Sequence, residues 1–171
     1  MSRKNIVLIG FMGSGKSLTA RRLAQLLKRK SVSIDELIEA REGRPIKQIF
    51  AESGESYFRD KEQEVVREVA GEDGLVIDCG GGVVLNPHNI TRLKANGIII
   101  HLNVSAQWAY ERVKNKGTRP LLNVEPPKER IRELLKERQP LYAQAADMTL
   151  ETDGKTVEEV AKEIVFHLGH D

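Results

Sequence analysis

Residues 10–17 read GFMGSGKS, and the spacing of Gly10, Gly15, Lys16 and Ser17 satisfies G-x-x-x-x-G-K-[ST]. The chemistry of such a stretch is anion binding. Glycines let backbone N–H groups turn inward around a phosphate, and a helix that starts there points its positive end at the same anion. An ammonium at Lys16 reaches the β- and γ-phosphates of a nucleoside triphosphate, and a hydroxyl at Ser17 reaches Mg²⁺. Gly13, Ser14 and Leu18 complete the expected nucleotide-binding set. The plain alternative is a glycine-rich turn that binds nothing. The apolar run NIVLI before the motif and the amphipathic LTARRLAQLL after it argue against that, because the motif needs a strand before and a helix after.

Five further segments hold residues able to do chemistry: SIDELIE, GESYFRDKE, DCGGGVV, NKGTRPLL and KERQPLY. Taken singly, each has an ordinary reading. Asp35 is a helix N-cap. Arg59 and Glu62 are an i, i+3 surface ion pair. Arg138 is a solvated charge at a helix end, Phe50 and Phe58 are core, and Gly80, Gly81 and Gly82 form a turn after a strand. Asp78 ends the apolar run LVID, the pattern of a Walker B strand, whose carboxylate holds Mg²⁺ in many P-loop enzymes, often through a water.

The elements that must position these residues are legible as an alternation. NIVLIG, SVSID, LVIDCG, GIIIHLNV and DMTLET read as strands, nearly continuously apolar as buried parallel strands are. Residues 16–28 form a helix with Leu18, Leu23, Leu26 and Leu27 on one side, and the basic KRK suits its C-terminus. ESYFRDKEQEVVREVA, SAQWAYERV, PPKERIRELLKER and TVEEVAKEIVFHL are further helices, the last opening on a capping box of Thr156 and Glu159. Strand–helix alternation behind the phosphate-binding motif implies a three-layer α/β P-loop fold with a parallel sheet of about five strands. Residues 1–171 read as one domain. Two segments interrupt the alternation. Residues 35–70 are almost wholly helical, and NKGTRPLLNVEPP (115–127) is polar and carries Gly and Pro.

Composition bounds the class. The chain has 171 residues, one cysteine and a formal net charge of +2. That excess is too small to argue for nucleic acid. With one cysteine no intrachain disulfide forms, and no apolar run approaches the roughly 18 residues of a membrane span. A cytoplasmic, monomeric protein with small-molecule partners, no nucleic acid and no membrane is the expectation.

The ordered set of motifs resembles shikimate kinase, from Gly10 to about Tyr142. The resemblance implies transfer of the γ-phosphoryl of ATP, with Mg²⁺, to the 3-hydroxyl of shikimate, a cyclohexene bearing one carboxylate and three hydroxyls. It implies that Arg59 and Arg138 bind the carboxylate, as guanidinium forks do. Asp35 binds the ring hydroxyls where the 3-hydroxyl proton departs. Gly80, Gly81 and Gly82 bring backbone close to the substrate, Phe50 and Phe58 form its apolar wall, and Glu62 holds Arg59. Arg119 is the lid arginine that stabilises the moving charge, which makes Lys16, Asp35 and Arg119 the catalytic set. Arg112 lies against the adenine. Residues 33–67 become an acceptor-gripping insertion and 114–124 a lid.

One position departs from that family. Its second strand usually ends D-x-D, and here it reads Ser33-Ile34-Asp35. The first aspartate of the pair lies near Mg²⁺, while Asp78 stands where many members carry a small hydroxyl residue. Ser17 and Asp78 are therefore the expected metal-side residues. Alternatives are a P-loop kinase for another acceptor, such as gluconate or a nucleoside monophosphate, and a nucleotide-binding module without turnover. Cys79 and His101 read as buried packing, Trp108 and Tyr110 as packing on a helix, and His88, His101, His167 and His170 lack metal-ligand spacing.

Overall fold

The computed structural model describes residues 3–114 and 127–169. Its elements alternate in chain order. The first half is β1 (Asn5–Ile9), α1 (Lys16–Leu27), β2 (Ser31–Ser33), α2 (Ile34–Glu42), α3 (Ile46–Ala70) and β3 (Val76–Asp78). A 3-10 turn (Val83–Leu85), α4 (Pro87–Ala95), β4 (Gly97–Asn103), α5 (Ala106–Val113), α6 (Pro127–Ala145), β5 (Met148–Glu151) and α7 (Val157–His167) complete it.

The five strands form one sheet in the order β2-β3-β1-β4-β5, every pairing parallel. β1 is central. The chain leaves it toward β2 and β3 on one side and returns past it to β4 and β5 on the other. Crevices open at the carboxyl ends of strands where the winding reverses in this way, and the phosphate-binding stretch sits there, directly after Ile9. Successive residues of β1 feed opposite layers. Val7 and Ile9 pack with Ile77, Ile99 and helices α2 to α6, whereas Ile6 and Leu8 pack with Val76, Ile100, Leu102 and helices α1 and α7. That makes three layers around a sheet buried on both faces.

Several expectations shift in detail. The buried stripe of α1 is Thr19, Ala20, Leu23 and Ala24, while Leu18 and Leu26 are exposed. Small residues let α1 lie close to the sheet, so Leu18 turns outward. The helix stops at Leu27, and Lys28 takes a left-handed φ of 53° as its cap, so the basic run lies past the last turn. α3 begins earlier than its amphipathic pattern suggests and is broken at Gly54 (φ 86°, ψ 167°). The first piece carries Phe50, and the second carries Phe58, Arg59 and Glu62. Asp35 does not cap α2. Ser33 does, its hydroxyl accepting from the Glu36 amide at 3.2 Å. Helix α4 went unforeseen, although Asn86 as N-cap and Pro87 at its first turn signal it. The capping box of α7 is present as read.

Candidate active site

Two cavities flank the phosphate-binding stretch and share Lys16 and Ser17 as their common wall. One, of about 520 Å³, lies toward α2 and α3. The other, of about 430 Å³, lies toward α5 and the start of α7.

The wall between them is made ready for an anion by its backbone. Gly15 enters α1 with φ 84°, a conformation costly for any residue with a Cβ. Four other helices have a side chain capping their first amides: Ser33, Asn86, Ser105 and Thr156. α1 has no such cap and no acid in its first turn, so its positive end faces the cavities. Lys16 folds over the loop, its Nζ donating to the carbonyls of Gly10 (2.7 Å) and Phe11 (3.0 Å).

The larger cavity collects the residues expected to hold the acceptor: Asp35, Phe50, Phe58, Arg59, Arg138 and the three glycines all line it. Each glycine faces a different charged or polar group. A Cβ on Gly80 would sit 2.6 Å from Asp35 Oδ1, and one on Gly82 would sit 2.5 Å from Arg59 Cζ. No substituted residue fits there without moving them. Gly81 lies beside Arg138 Nη1 and the Tyr142 hydroxyl. The Phe50 and Phe58 rings meet at 4.9 Å, and the Arg59 guanidinium lies over Phe58 at 5.1 Å.

The Arg59–Glu62 pair is no surface bridge. Arg59 Nη1 donates to Glu62 Oε1 at 2.9 Å, and Glu62 is 1% exposed. Burial raises the Glu62 carboxyl to about 7, against the pull of Arg59. Glu62 Oε2 and Arg59 Nε are buried without hydrogen-bond partners. Arg138 is also buried, at 6% exposed, and no described carboxylate lies within ion-pair distance of it. The nearby Tyr142 hydroxyl donates to the Gly81 carbonyl, and burial pushes its pKa to about 12. Glu62 acts on the Arg138 guanidinium through space without an ion-pair contact; a buried guanidinium so placed is costly, and an anion entering the cavity supplies the contact.

Asp78 ends β3 at 6% exposed and accepts from the Ser17 hydroxyl at 2.7 Å. Its register partner across β2 is Ser33. One hydroxyl and one carboxylate beside a phosphate loop fit Mg²⁺, which keeps several waters and takes its remaining ligands from phosphates. Among the described residues no cluster of three or more His, Cys, Asp or Glu side chains could hold a metal by itself. Cys79 lines the cavity, but burial drives its thiol pKa well up, which removes it as a nucleophile.

The smaller cavity is lined by Gly13, Ser14, Gly15, Leu18 and Arg112, and also by Thr152, Lys155 and Thr156. Arg112 donates to the carbonyls of Gly13 (2.7 Å) and Thr152 (3.2 Å), tying the phosphate loop to the β5–α7 connection. It also lies over Trp108 at 5.4 Å, so that half-exposed ring supports Arg112 rather than packing in the core. The connection at 152–156 was missed in the sequence; its polar TDGKT run directly after a terminal strand was the available signal. His101 is buried in β4 and stacks on Tyr142 at 5.0 Å, its pKa lowered by burial to about 4. Arg119 and nearly all of the 114–124 segment lie outside the described residues.

A parallel sheet between two helical layers, a phosphate loop after its central strand and an acceptor cavity across that loop define an ATP-dependent P-loop kinase for a small molecule. The family model for shikimate kinase matches residues 12–168. The shikimate kinase of Thermodesulfovibrio yellowstonii is 48% identical over 162 residues, covering 95% of this chain and 93% of that one. The Acinetobacter baumannii shikimate kinase, solved in complex with shikimate, superposes with a TM-score of 0.94 at 37% identity, covering 98% of this chain and 94% of that one. The Aquifex aeolicus shikimate kinase superposes at 0.85 and 36% identity, with 96% of each chain covered. The chain belongs to the shikimate kinase family.

Proposed function

We propose that this chain transfers the γ-phosphoryl group of MgATP to the 3-hydroxyl of shikimate across the wall formed by Lys16 and Ser17. The observation that carries this reading is Arg138: buried, with no described carboxylate in ion-pair contact, and lining the same cavity as Arg59 and Asp35. A planar carboxylate satisfies both guanidinium forks. Phe50 and Phe58 then face the ring, and Asp35 takes the hydroxyls and orients the attacking one. Glycines at 80–82 let the acid approach backbone.

The chemistry is mainly positioning and charge stabilisation. Lys16 leaves the loop carbonyls for the phosphates. Arg119, assigned on its motif alone, neutralises charge as the phosphoryl group moves, and the 114–124 segment acts as the lid that excludes water. Ser17 and Asp78 would hold Mg²⁺, which when bound neutralises the β- and γ-phosphates. Arg112 lines the base side with the 152–156 connection. Residues 33–67 form the acceptor-gripping part of a single domain. Both arginines and the phosphate loop belong to one chain, which supports a monomer as the working unit. The family's biosynthetic role supports a cytoplasmic setting. Among the described residues no helix is long and apolar enough to cross a membrane.

Coupled ADP release with shikimate, gluconate or AMP as acceptor tests the reading. Turnover with shikimate and near-background release with the other two is expected. Equal or faster release with gluconate or AMP overturns the acceptor assignment, and no release with any of them reduces the chain to a nucleotide-binding module.

A further inference from the structure

Helix α5 meets the phosphate loop along two neighbouring stripes. Ala109 and Val113 form the buried one, and Gly13 lies against it with φ 78°. A Cβ on Gly13 would stand 3.0 Å from the Ala109 carbonyl oxygen and 3.3 Å from Val113 Cγ1. One position earlier in each turn come Trp108 and Arg112, an i, i+4 pair on one face. The Arg112 guanidinium reaches two loops along its edge. Nη1 donates to the Gly13 carbonyl at 2.7 Å, and Nη2 donates to the Thr152 carbonyl at 3.2 Å. Its Cζ lies over the Trp108 ring, 5.4 Å from the centroid. Trp108 is anchored in turn, because the Ser105 hydroxyl accepts from its amide at 3.3 Å. Among the described residues the smaller cavity is lined by Arg112 and not by Trp108.

We infer that Trp108 is a positioning residue for the nucleotide: its indole holds the Arg112 guanidinium between Gly13 and Thr152, and so fixes the smaller cavity's width there. The inference rests on assigning that cavity to the nucleotide. Two hydrogen bonds along one edge fix the guanidinium in its own plane. They leave a long, flexible stem that can swing the group toward solvent. An aromatic face against the cation opposes that swing. A carboxylate at 108 would also hold Arg112, as an i, i+4 ion pair. It would, however, cancel a positive charge beside a site for a polyanion. A neutral indole holds the cation and leaves its charge in place.

The test is a double-mutant cycle on ADP affinity, measured by titration calorimetry with Trp108→Leu, Arg112→Ala and the two combined. Trp108→Leu keeps apolar bulk and removes the π-face, so ADP should bind about threefold more weakly, the size of a partly exposed cation–π contact. Arg112→Ala should cost about fivefold. The combined variant should be no weaker than Arg112→Ala, because a ring that acts through Arg112 then has nothing to hold. Trp108→Phe keeps an aromatic face and should recover most of the parent's affinity. Shikimate affinity should stay level throughout. A loss below about 1.5-fold in Trp108→Leu overturns the inference, as do losses that multiply in the combined variant. So does a Phe variant as weak as the Leu one, or an equal weakening of shikimate. If the parent itself fails to bind ADP, the nucleotide assignment of the cavity falls and this inference with it. A second arm leaves residue 108 untouched. Trp108 is the chain's one tryptophan, so its emission reports the contact directly. Arg112→Ala should uncover the ring and raise its quenching by acrylamide; quenching equal to the parent's overturns the link.

Discussion

The two cavities that meet at Lys16 and Ser17 are built from different materials. The acceptor side carries charges of both signs: buried Glu62, Asp78 and Arg138, with half-buried Asp35 and Arg59. Arg59 Nε and Glu62 Oε2 are buried there without hydrogen-bond partners. The nucleotide side has no acidic residue among its described lining; it offers loop amides, small hydroxyls, Lys155 and Arg112. The difference follows from the two ligands. A triphosphate is a dense polyanion, and a glycine loop at a helix end receives it with backbone alone. A hydroxylated ring acid needs a cation for its carboxylate and acceptors for its hydroxyls, fixed a few ångströms apart. That demands dedicated side chains whose charge is left for the ligand rather than neutralised within the protein.

The strongest way to break this comparison is Arg138→Ala. It removes charge-assisted hydrogen bonds worth about 1.5–3 kcal/mol, so KM for shikimate should rise about 100-fold in steady-state assays. KM for ATP should stay within about twofold. Equal losses for both substrates would show that the two sides are not energetically separate. Asp78→Asn comes next and strikes the shared wall. The Mg²⁺ concentration for half-maximal rate should rise about tenfold, the scale of losing one carboxylate near the ion. Calorimetric titration of Mg²⁺ into the ADP complex should show the same loss. Ser33→Asp in that background should restore much of it, because residues 33 and 78 are register partners at neighbouring strand ends. The cap on α2 survives that change, since aspartate caps as well as serine. An unchanged Mg²⁺ requirement in Asp78→Asn removes Asp78 from the metal side.

How much was legible follows the same division. The strands, their parallel arrangement and the phosphate loop could be read because burial on both faces leaves continuous apolar runs, and because one motif has few other uses. Arg59, Arg138 and Asp35 could be read only as an ordered set, since each alone has a plainer explanation. The burial of Arg138 and of Glu62 is a tertiary fact: nothing local in FRDKE says that Glu62 points inward. The cap on α2 was assigned to Asp35 and belongs to Ser33, because helix starts are ambiguous within two residues when both can cap. Thr152, Lys155 and Thr156 went unread as cavity lining, because the chain path after β5, not residue type, brings them beside the phosphate loop. Tyr142 was quoted within a motif and given no role, since a hydroxyl's worth depends on what lies across from it.

Arg112→Ala sharpens the nucleotide side. Its guanidinium bridges two backbone carbonyls of separate loops, so its loss loosens the pocket without removing a charge that the phosphates use directly. KM for ATP should rise about fivefold, near one ordinary hydrogen bond's worth, with KM for shikimate unchanged. A larger effect on shikimate than on ATP would show that Arg112 reports on the acceptor cavity instead.

The smallest expected effect concerns stability, and it tests whether the acceptor side stores charge at a cost. Glu62 is raised to about 7 from 4.5 by burial, only partly offset by Arg59. Between those values the folded state keeps a proton that the unfolded chain has released. Protons bound are then more numerous in the native state, so stability from this group falls as pH rises from about 4.5 to 7 and is level above that. Glu62→Gln keeps an oxygen for Arg59 to donate to and has no proton to lose. Its melting temperature relative to the parent should therefore improve from pH 5 to pH 8, by a few degrees for a domain of this size. Thermal melts without ligand at the two pH values measure it. A constant gap would mean that Glu62 is ionised throughout and fully compensated by Arg59. An improvement that vanishes when saturating shikimate is added would instead tie the proton on Glu62 to the state of the two arginines, which is the coupling that the nucleotide side, lined without acids, has no means to show.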